Sequence, residues 1–130
     1  MDLMYKIAII EDDPMINQMY RMKFEAEGFK VEIADNGFNG LDLLNDYLPD
    51  LVLLDLQMPH MDGLQTLKEI RASAALKTIP VLILTNTGSE DLAEFVKLNI
   101  EGFITKAEMT PKEVVKLAIS VINKKHTDKL

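Results

Sequence analysis

Cysteine and tryptophan are both missing from this chain of 130 residues. Without cysteine there is no disulfide, no thiolate nucleophile and no thiolate metal site. Histidine is nearly absent too: His60 and His126 are the only two, and both read as solvated loop residues with no assigned role. They are not paired, so zinc has no evident donor set. No apolar run approaches the roughly 20 residues that a bilayer-crossing helix needs. The start, Met1 to Lys6, has no basic region leading into a long apolar stretch, so neither membrane insertion nor a secretory signal is expected, and the balance suits the cytoplasm. Positive charge is in short supply, with 14 Lys and Arg against 21 Asp and Glu, a formal net charge of −7. Such a surface repels a phosphate backbone, so direct nucleic-acid binding is not expected. The acids either serve solubility or gather around a cation, and their positions decide between the two.

What is present is the balance of a globular protein, 48% hydrophobic and 27% charged, in a length that suits one domain over residues 1–130. Repeats, linkers and low-complexity tracts are not evident. Short apolar runs alternate with helical patterns throughout. Tyr5 to Ile10 reads as a strand, ended by Glu11-Asp12-Asp13-Pro14, with Asp13 as N-cap and Pro14 in the first helical turn. Ile16, Met19, Tyr20 and Phe24 follow at helical spacing, stopped by Gly28. Phe29 to Ile33 alternates like a half-buried strand. Leu41, Leu44 and Leu48 mark a second helix, broken by Pro49-Asp50. Leu51 to Leu54 is a continuous apolar run into Asp55, as expected of a central parallel strand. Leu64, Leu67 and Ile70 or Arg71 carry a third helix, and Val81 to Leu84 is a second buried strand ending in Thr85. Asn86-Thr87-Gly88-Ser89 reads as a loop, and Leu92, Phe95 and Val96 mark a fourth helix. Gly102 to Thr105 is a last strand before Lys106. Thr110-Pro111-Lys112-Glu113 is a capping box opening a fifth helix on Val114, Val115, Ala118, Ile119 and Ile122, after which Asn123 to Leu130 reads as a polar tail.

The order βαβαβαβαβα implies a doubly wound α/β fold with a parallel sheet. Such sheets build their sites outside the carboxyl ends of the strands. Those ends deliver Glu11 and Asp12, then Asp55, Thr85 and Lys106; the second strand, an expected edge, delivers nothing notable. Singly, each is more simply a cap, a turn residue or a solvated charge. Together, at the one edge where this architecture builds sites, they point to a joint task. Three crowded carboxylates repel one another. A hard divalent cation with oxygen ligands relieves this, and magnesium suits few carboxylates combined with a phosphate. Asp55, at the centre, is placed as a carboxylate nucleophile that forms an aspartyl-phosphate. Metal and the Lys106 ammonium offset charge on the phosphoryl oxygens, and the Thr85 hydroxyl can donate to one of them.

Glu11-Asp12-Asp13, the apolar strand into Asp55, Met58-Pro59 with Asp62-Gly63, Ile83-Leu84-Thr85 and Phe103-Ile104-Thr105-Lys106 resemble the response-regulator receiver family. The resemblance runs from about Lys6 to Ile122. It implies a flavodoxin-like (βα)5 fold with strand order 2-1-3-4-5 and a two-component signalling role. Asp55 would be the phosphoacceptor. Magnesium would be held by Asp12 and Asp55, by the Gln57 backbone carbonyl, and by Glu11 through water. Thr85 would be the switch hydroxyl, Phe103 the switch aromatic and Lys106 the phosphate-pairing lysine. The implied partners are a sensor histidine kinase or histidine phosphotransfer domain, a downstream protein target met through the fourth helix, last strand and fifth helix, and a second copy in a phosphorylation-linked homodimer. The chain would catalyse only its own phosphorylation and dephosphorylation. Asn86 and Ala107 depart from the family pattern, which usually has Ala or Ser after the threonine and Pro with a cis bond after the lysine; Gln57 stands where Asn is frequent.

Three other readings compete. A degenerate receiver, used as an interaction module without phosphorylation, is favoured by Asn86 and Ala107 and disfavoured by the retained acids, threonine and lysine. An aspartate phosphatase would want a second acid two residues after Asp55, where Gln57 stands. A flavin-binding protein would want a Ser/Thr/Gly-rich loop in place of Glu11-Asp12-Asp13.

Overall fold

The computed structural model describes residues 5–86 and 92–128. Five parallel strands form one sheet in the order β2-β1-β3-β4-β5. They are β1 (Lys6–Ile10), β2 (Lys30–Ala34), β3 (Leu51–Asp55), β4 (Val81–Thr85) and β5 (Gly102–Thr105), connected through α1 (Pro14–Ala26), α2 (Gly37–Tyr47), α3 (Gly63–Ala72) and α4 (Ala93–Val96) and followed by α5 (Pro111–Asp128). The parallel sheet is the one expected from the alternation of elements, and its strand order is the flavodoxin-like one that the family resemblance implied. The Thr87-Gly88-Ser89 part of the expected loop lies outside the described residues.

Strand alternation divides the core into two layers. Ile7, Ile9, Leu51, Leu53, Leu82 and Leu84 point to one face and pack with α1 and α5 through Tyr20, Phe24, Val114, Ala118 and Ile122. Ala8, Ile10, Val52, Leu54, Val81 and Ile83 point to the other and pack with α2, α3 and α4 through Leu44, Leu67, Ile70 and Phe95. The three central strands are apolar at nearly every position because both faces are covered.

Several local expectations are corrected. The buried face of α1 is Asn17, Tyr20 and Phe24. Met19 lies one position off that face and is 41% exposed. Leu48 is not part of the buried stripe of α2. It is the C-cap residue, left-handed at φ 49, a position more often taken by Gly or Asn, and is largely exposed. α4 is only four residues long within the described segment. Asn123 to Asp128 continue α5 rather than forming a tail, since lysines and His126 suit the carbonyl end of a helix dipole. His126 is accordingly helical and meets the Tyr5 ring edge to face at 6.3 Å.

The expected capping box at α5 is present: the Glu113 amide donates to Thr110 Oγ1 at 3.2 Å, and the Thr110 amide donates to Glu113 Oε1 at 3.0 Å. Arg71, at the end of α3, donates from Nε to the Leu98 carbonyl at 2.7 Å and from Nη1 to the Ile79 carbonyl at 2.8 Å. It thereby ties α3 to the segments before β4 and β5.

Gly63 opens α3 directly beneath the end of β3. A Cβ there would stand 2.4 Å from the Asp55 carbonyl oxygen and 2.9 Å from Leu56 Cα, both backbone atoms. Gly63→Ala is therefore expected to cost about 1–3 kcal/mol, as overpacking does, measured by urea or thermal unfolding. Unchanged stability would show that α3 can shift away from the strand without loss.

Candidate phosphoacceptor and metal site

Parallel register brings the expected residues to one edge. Ile10 pairs with Leu54, so Glu11 and Asp55 leave neighbouring strands side by side. Asp55 in turn pairs with Leu84, and Thr85 with Thr105. Backbone bonds lock these ends together just past the ladders: Glu11 N–H donates to Ala34 O at 3.0 Å, Leu56 N–H to Leu84 O at 2.9 Å and Lys106 N–H to Thr85 O at 2.8 Å.

One carboxylate oxygen from each of Glu11, Asp12 and Asp55 lies within 4.8 Å of the others. Glu11 and Asp55 are buried, whereas Asp12 is exposed. The Lys106 ammonium enters from β5, ion-paired with Glu11 Oε1 and donating to Asp55 Oδ1 at 3.2 Å. No cis peptide bond occurs among the described residues, so Lys106–Ala107 is trans, and the lysine reaches both acids in that form. The cleft over the cluster has a volume of about 430 Å³ and is lined also by Asp13, Ile16, Gln57, Met58 and Asn86. Asp13 additionally caps α1, accepting from the Met15 and Ile16 amides.

Thr85 is buried at the end of β4. Phe103 does not line the cleft; it is partly buried in the second core layer, edge to face with Phe95 at 6.4 Å. Gln57 is exposed at the rim, and its N–H donates to Asp55 Oδ1 at 3.4 Å. Sequence reading missed Asn17, whose buried amide donates to the Glu11 and Ala34 carbonyls at 2.9 and 3.1 Å. Its spacing from Tyr20 and Phe24, three and seven residues on, was the signal: a polar residue on an apolar helix face.

The electrostatics follow from crowding. Desolvation pushes the Asp55 carboxyl up to about 8, helped by hydrogen bonding to Glu11 and Asp12 and by the Glu11 charge, against the opposing pull of Lys106. Burial works to raise Asp12 as well, but hydrogen bonds with Asp55 and Glu11 outweigh it and leave Asp12 below the usual value. Burial alone would lower the Lys106 ammonium; its hydrogen bond to Glu11 and the Asp55 charge hold it above the usual lysine value instead. One ammonium, paired with Glu11 and Asp55, stands beside three acids, and the cluster fits a hard cation with oxygen ligands.

A doubly wound sheet carrying an acidic cluster and a lysine at its switch point defines the class. The family profile for the response regulator receiver domain matches residues 7–119, and the chain belongs to that family. It is 34% identical over 124 residues to the transcriptional regulatory protein CpxR of Escherichia coli, covering 95% of this chain and 51% of that protein. It is also 34% identical over 128 residues to protein-glutamate methylesterase/protein-glutamine glutaminase 3 of Rhodospirillum rubrum, covering 98% of this chain and 34% of that protein. The chain thus spans about half or less of the length of these relatives. Among solved structures, chemotaxis protein CheY4 of Vibrio cholerae superposes with a TM-score of 0.84 at 28% identity, over 92% of this chain and 99% of that one.

The raised Asp55 value carries a stability consequence. Without a cation, the folded protein holds a proton on Asp55 up to about pH 8, while the unfolded chain releases it near pH 4. The folded state binds more protons across that window, so this group's contribution to stability falls as pH rises through it. Asp55→Asn is expected to melt roughly 3 °C or more above the unaltered protein at pH 8 without divalent cation, with the gap closing toward pH 5. Equal melting temperatures at pH 8 in a chelator would contradict the crowding argument.

Proposed function

We propose that this chain is a phosphoacceptor switch that takes a phosphoryl group onto Asp55 with magnesium and changes a partner-binding surface in response. The observation that carries the reading is the buried Asp55 carboxyl, with Glu11 and Asp12 close enough to share a cation and the Lys106 ammonium 3.2 Å from Oδ1. An Asp55 oxygen attacks the phosphorus of a phosphohistidine on a sensor kinase or phosphotransfer domain. The new O–P bond forms as the P–N bond breaks, and the imidazole leaves with the electron pair.

The side chains of Asp12 and Asp55 and the Gln57 carbonyl would hold magnesium, with Glu11 reaching it through water. The ion would neutralise charge gathering on the phosphoryl oxygens. Lys106, already poised between Glu11 and Asp55, exchanges part of its pairing for a phosphoryl oxygen. The Thr85 hydroxyl donates to another. The added charge is relayed through β4 to Phe103 and to the face formed by α4, β5 and α5, which meets a downstream protein or a second copy of the chain. The chain acts only on its own phosphoryl group and works in the cytoplasm. The names of the longer relatives describe those proteins, and direct nucleic-acid contact is not part of this reading.

The test is acetyl phosphate with magnesium, followed by intact-mass measurement. The unaltered chain should gain the mass of one phosphoryl group; Asp55→Asn, or the unaltered chain in excess chelator, should gain none. Absence of any gain in the unaltered chain would leave the fold in use as an interaction module without phosphorylation.

A further inference from the structure

We propose that Asn17 is a positioning residue for the acid pair Glu11–Asp12, fixing the peptide plane that joins them; the inference rests on the magnesium-assisted reading of the site. Asn17 stands on α1 and is 3% exposed. Its side-chain amide donates to the Glu11 carbonyl at 2.9 Å. That oxygen belongs to the peptide plane joining Glu11 to Asp12, so the bond fixes the orientation from which both side chains depart. The backbone N–H of the same residue donates to the Asp13 carbonyl at 2.9 Å. The backbone bond is the ordinary first-turn bond of α1 and would survive substitution, so what the asparagine itself adds is the tie on the peptide plane before Asp12.

Asp12 needs this support more than its neighbours do. Glu11 is buried and held by its ion pair to Lys106, and Asp55 is held within the β3–β4 ladder. The Asp12 side chain is exposed, and no opposite charge is in ion-pair contact with it among the described residues. Its hydrogen bonds go to the two other acids of the cluster, so the turn beneath it sets the direction from which it meets them. Asp13 completes that turn: its N–H donates to Glu11 Oε2 at 3.2 Å, and its carboxylate caps α1 through the Met15 amide at 2.9 Å.

The chemistry requires a donor at position 17. Both partners of the side-chain amide are carbonyl oxygens, the second being Ala34 O at 3.1 Å, so only the NH₂ end can face them. Ala34 O already accepts from the Glu11 N–H at 3.0 Å. The side chain thus adds a second tie between the ends of β1 and β2 rather than rescuing an orphaned acceptor. Asn17 Oδ1 is buried without a hydrogen-bond partner, an unfavourable state for an amide. An aliphatic side chain on this face would avoid that penalty, so the amide's contribution lies in the two carbonyls it holds.

The test compares magnesium affinity with stability. Isothermal titration with magnesium chloride is run on the unaltered chain, on Asn17→Ala, on the smaller donor variant Asn17→Ser, and on Leu76→Ala. Leu76 is buried ahead of β4, at the far end of the sheet, so its variant loses stability without touching the turn. Asn17→Ala is expected to bind magnesium about 10-fold more weakly, the scale on which outer-shell partners act. Leu76→Ala should melt lower but bind as the unaltered chain does. Asn17→Ser secures a folded variant should the alanine chain not fold, and a similar weakening is expected in it. Magnesium binding by every folded Asn17 variant within twofold of the unaltered chain, with only the melting temperature lowered, would overturn the proposal and leave Asn17 a core polar residue. No binding by the unaltered chain itself would remove the metal reading, and this inference with it.

Discussion

A single ammonium set against three carboxylates is the constraint around which the active edge is organised. Lys106 pairs with Glu11 and Asp55 together, and the pairing is incomplete by design of number: one positive charge cannot satisfy three acids. The remainder is carried by a proton on Asp55, held up to about pH 8 by burial and by its neighbours, or by a cation arriving from solution. Without a cation the protein is therefore destabilised at the place where the proposed function calls for a cation site. The rest of the molecule can tolerate this because its two apolar layers lie on either face of the sheet, away from the edge.

Parallel strands make such crowding attainable. Residues 44 positions apart, Glu11 and Asp55, become neighbours because β1 and β3 run side by side in register. Every α-helix that follows a strand starts on the same edge, so helix dipoles direct partial positive charge toward it. The first-turn donors are satisfied locally by Asp13, Asn36 and Asp62 at α1, α2 and α3, and Thr110 and Glu113 do the same at α5. Acids at the edge thus serve two ends. Asp62 caps a helix away from the cleft and Asp13 caps one at its rim, while Glu11, Asp12 and Asp55 face one another across it.

The central strands and their termini were legible in the sequence because buried parallel strands are continuous apolar runs followed by a charged or hydroxyl residue, and the edge strand β2 was legible from its alternation. The caps at Asp13 and Thr110 were legible because they rest on short-range patterns. What escaped reading depends on the exact rotation of a helix about its axis or on groups with no side-chain signature. Met19 and Asn17 are two positions apart on α1. Hydropathy favours the methionine for the core, yet the Glu11 and Ala34 carbonyls draw the asparagine inward instead. Arg71 shows the same limit: its partners are backbone carbonyls, which any sequence could supply. α5 runs beyond its apolar stripe because lysines in the final turns are compatible with helix, so the polar stretch read as a tail does not mark its end.

The two departures from the family pattern can be weighed by what holds Lys106. Its backbone N–H is tied to Thr85 O at 2.8 Å, so the residue is placed by the β4–β5 pairing before Ala107 is reached. The chain then turns back at once, with the Glu108 and Met109 amides donating to Thr105 O at 2.9 and 3.1 Å. That turn fixes the exit path with a trans Lys106–Ala107 bond, and the ammonium still meets both acids. Ala107 therefore does not decide whether the cluster assembles. Asn86 is exposed on the rim of the cleft, one residue beyond the buried Thr85. Under the proposed function, a polar side chain there would stand where a phosphodonor enters and where water approaches a phosphorylated Asp55. Its influence would then fall on access and on the lifetime of the phosphoryl group, while forming the bond would rest with the acids and the lysine beneath it.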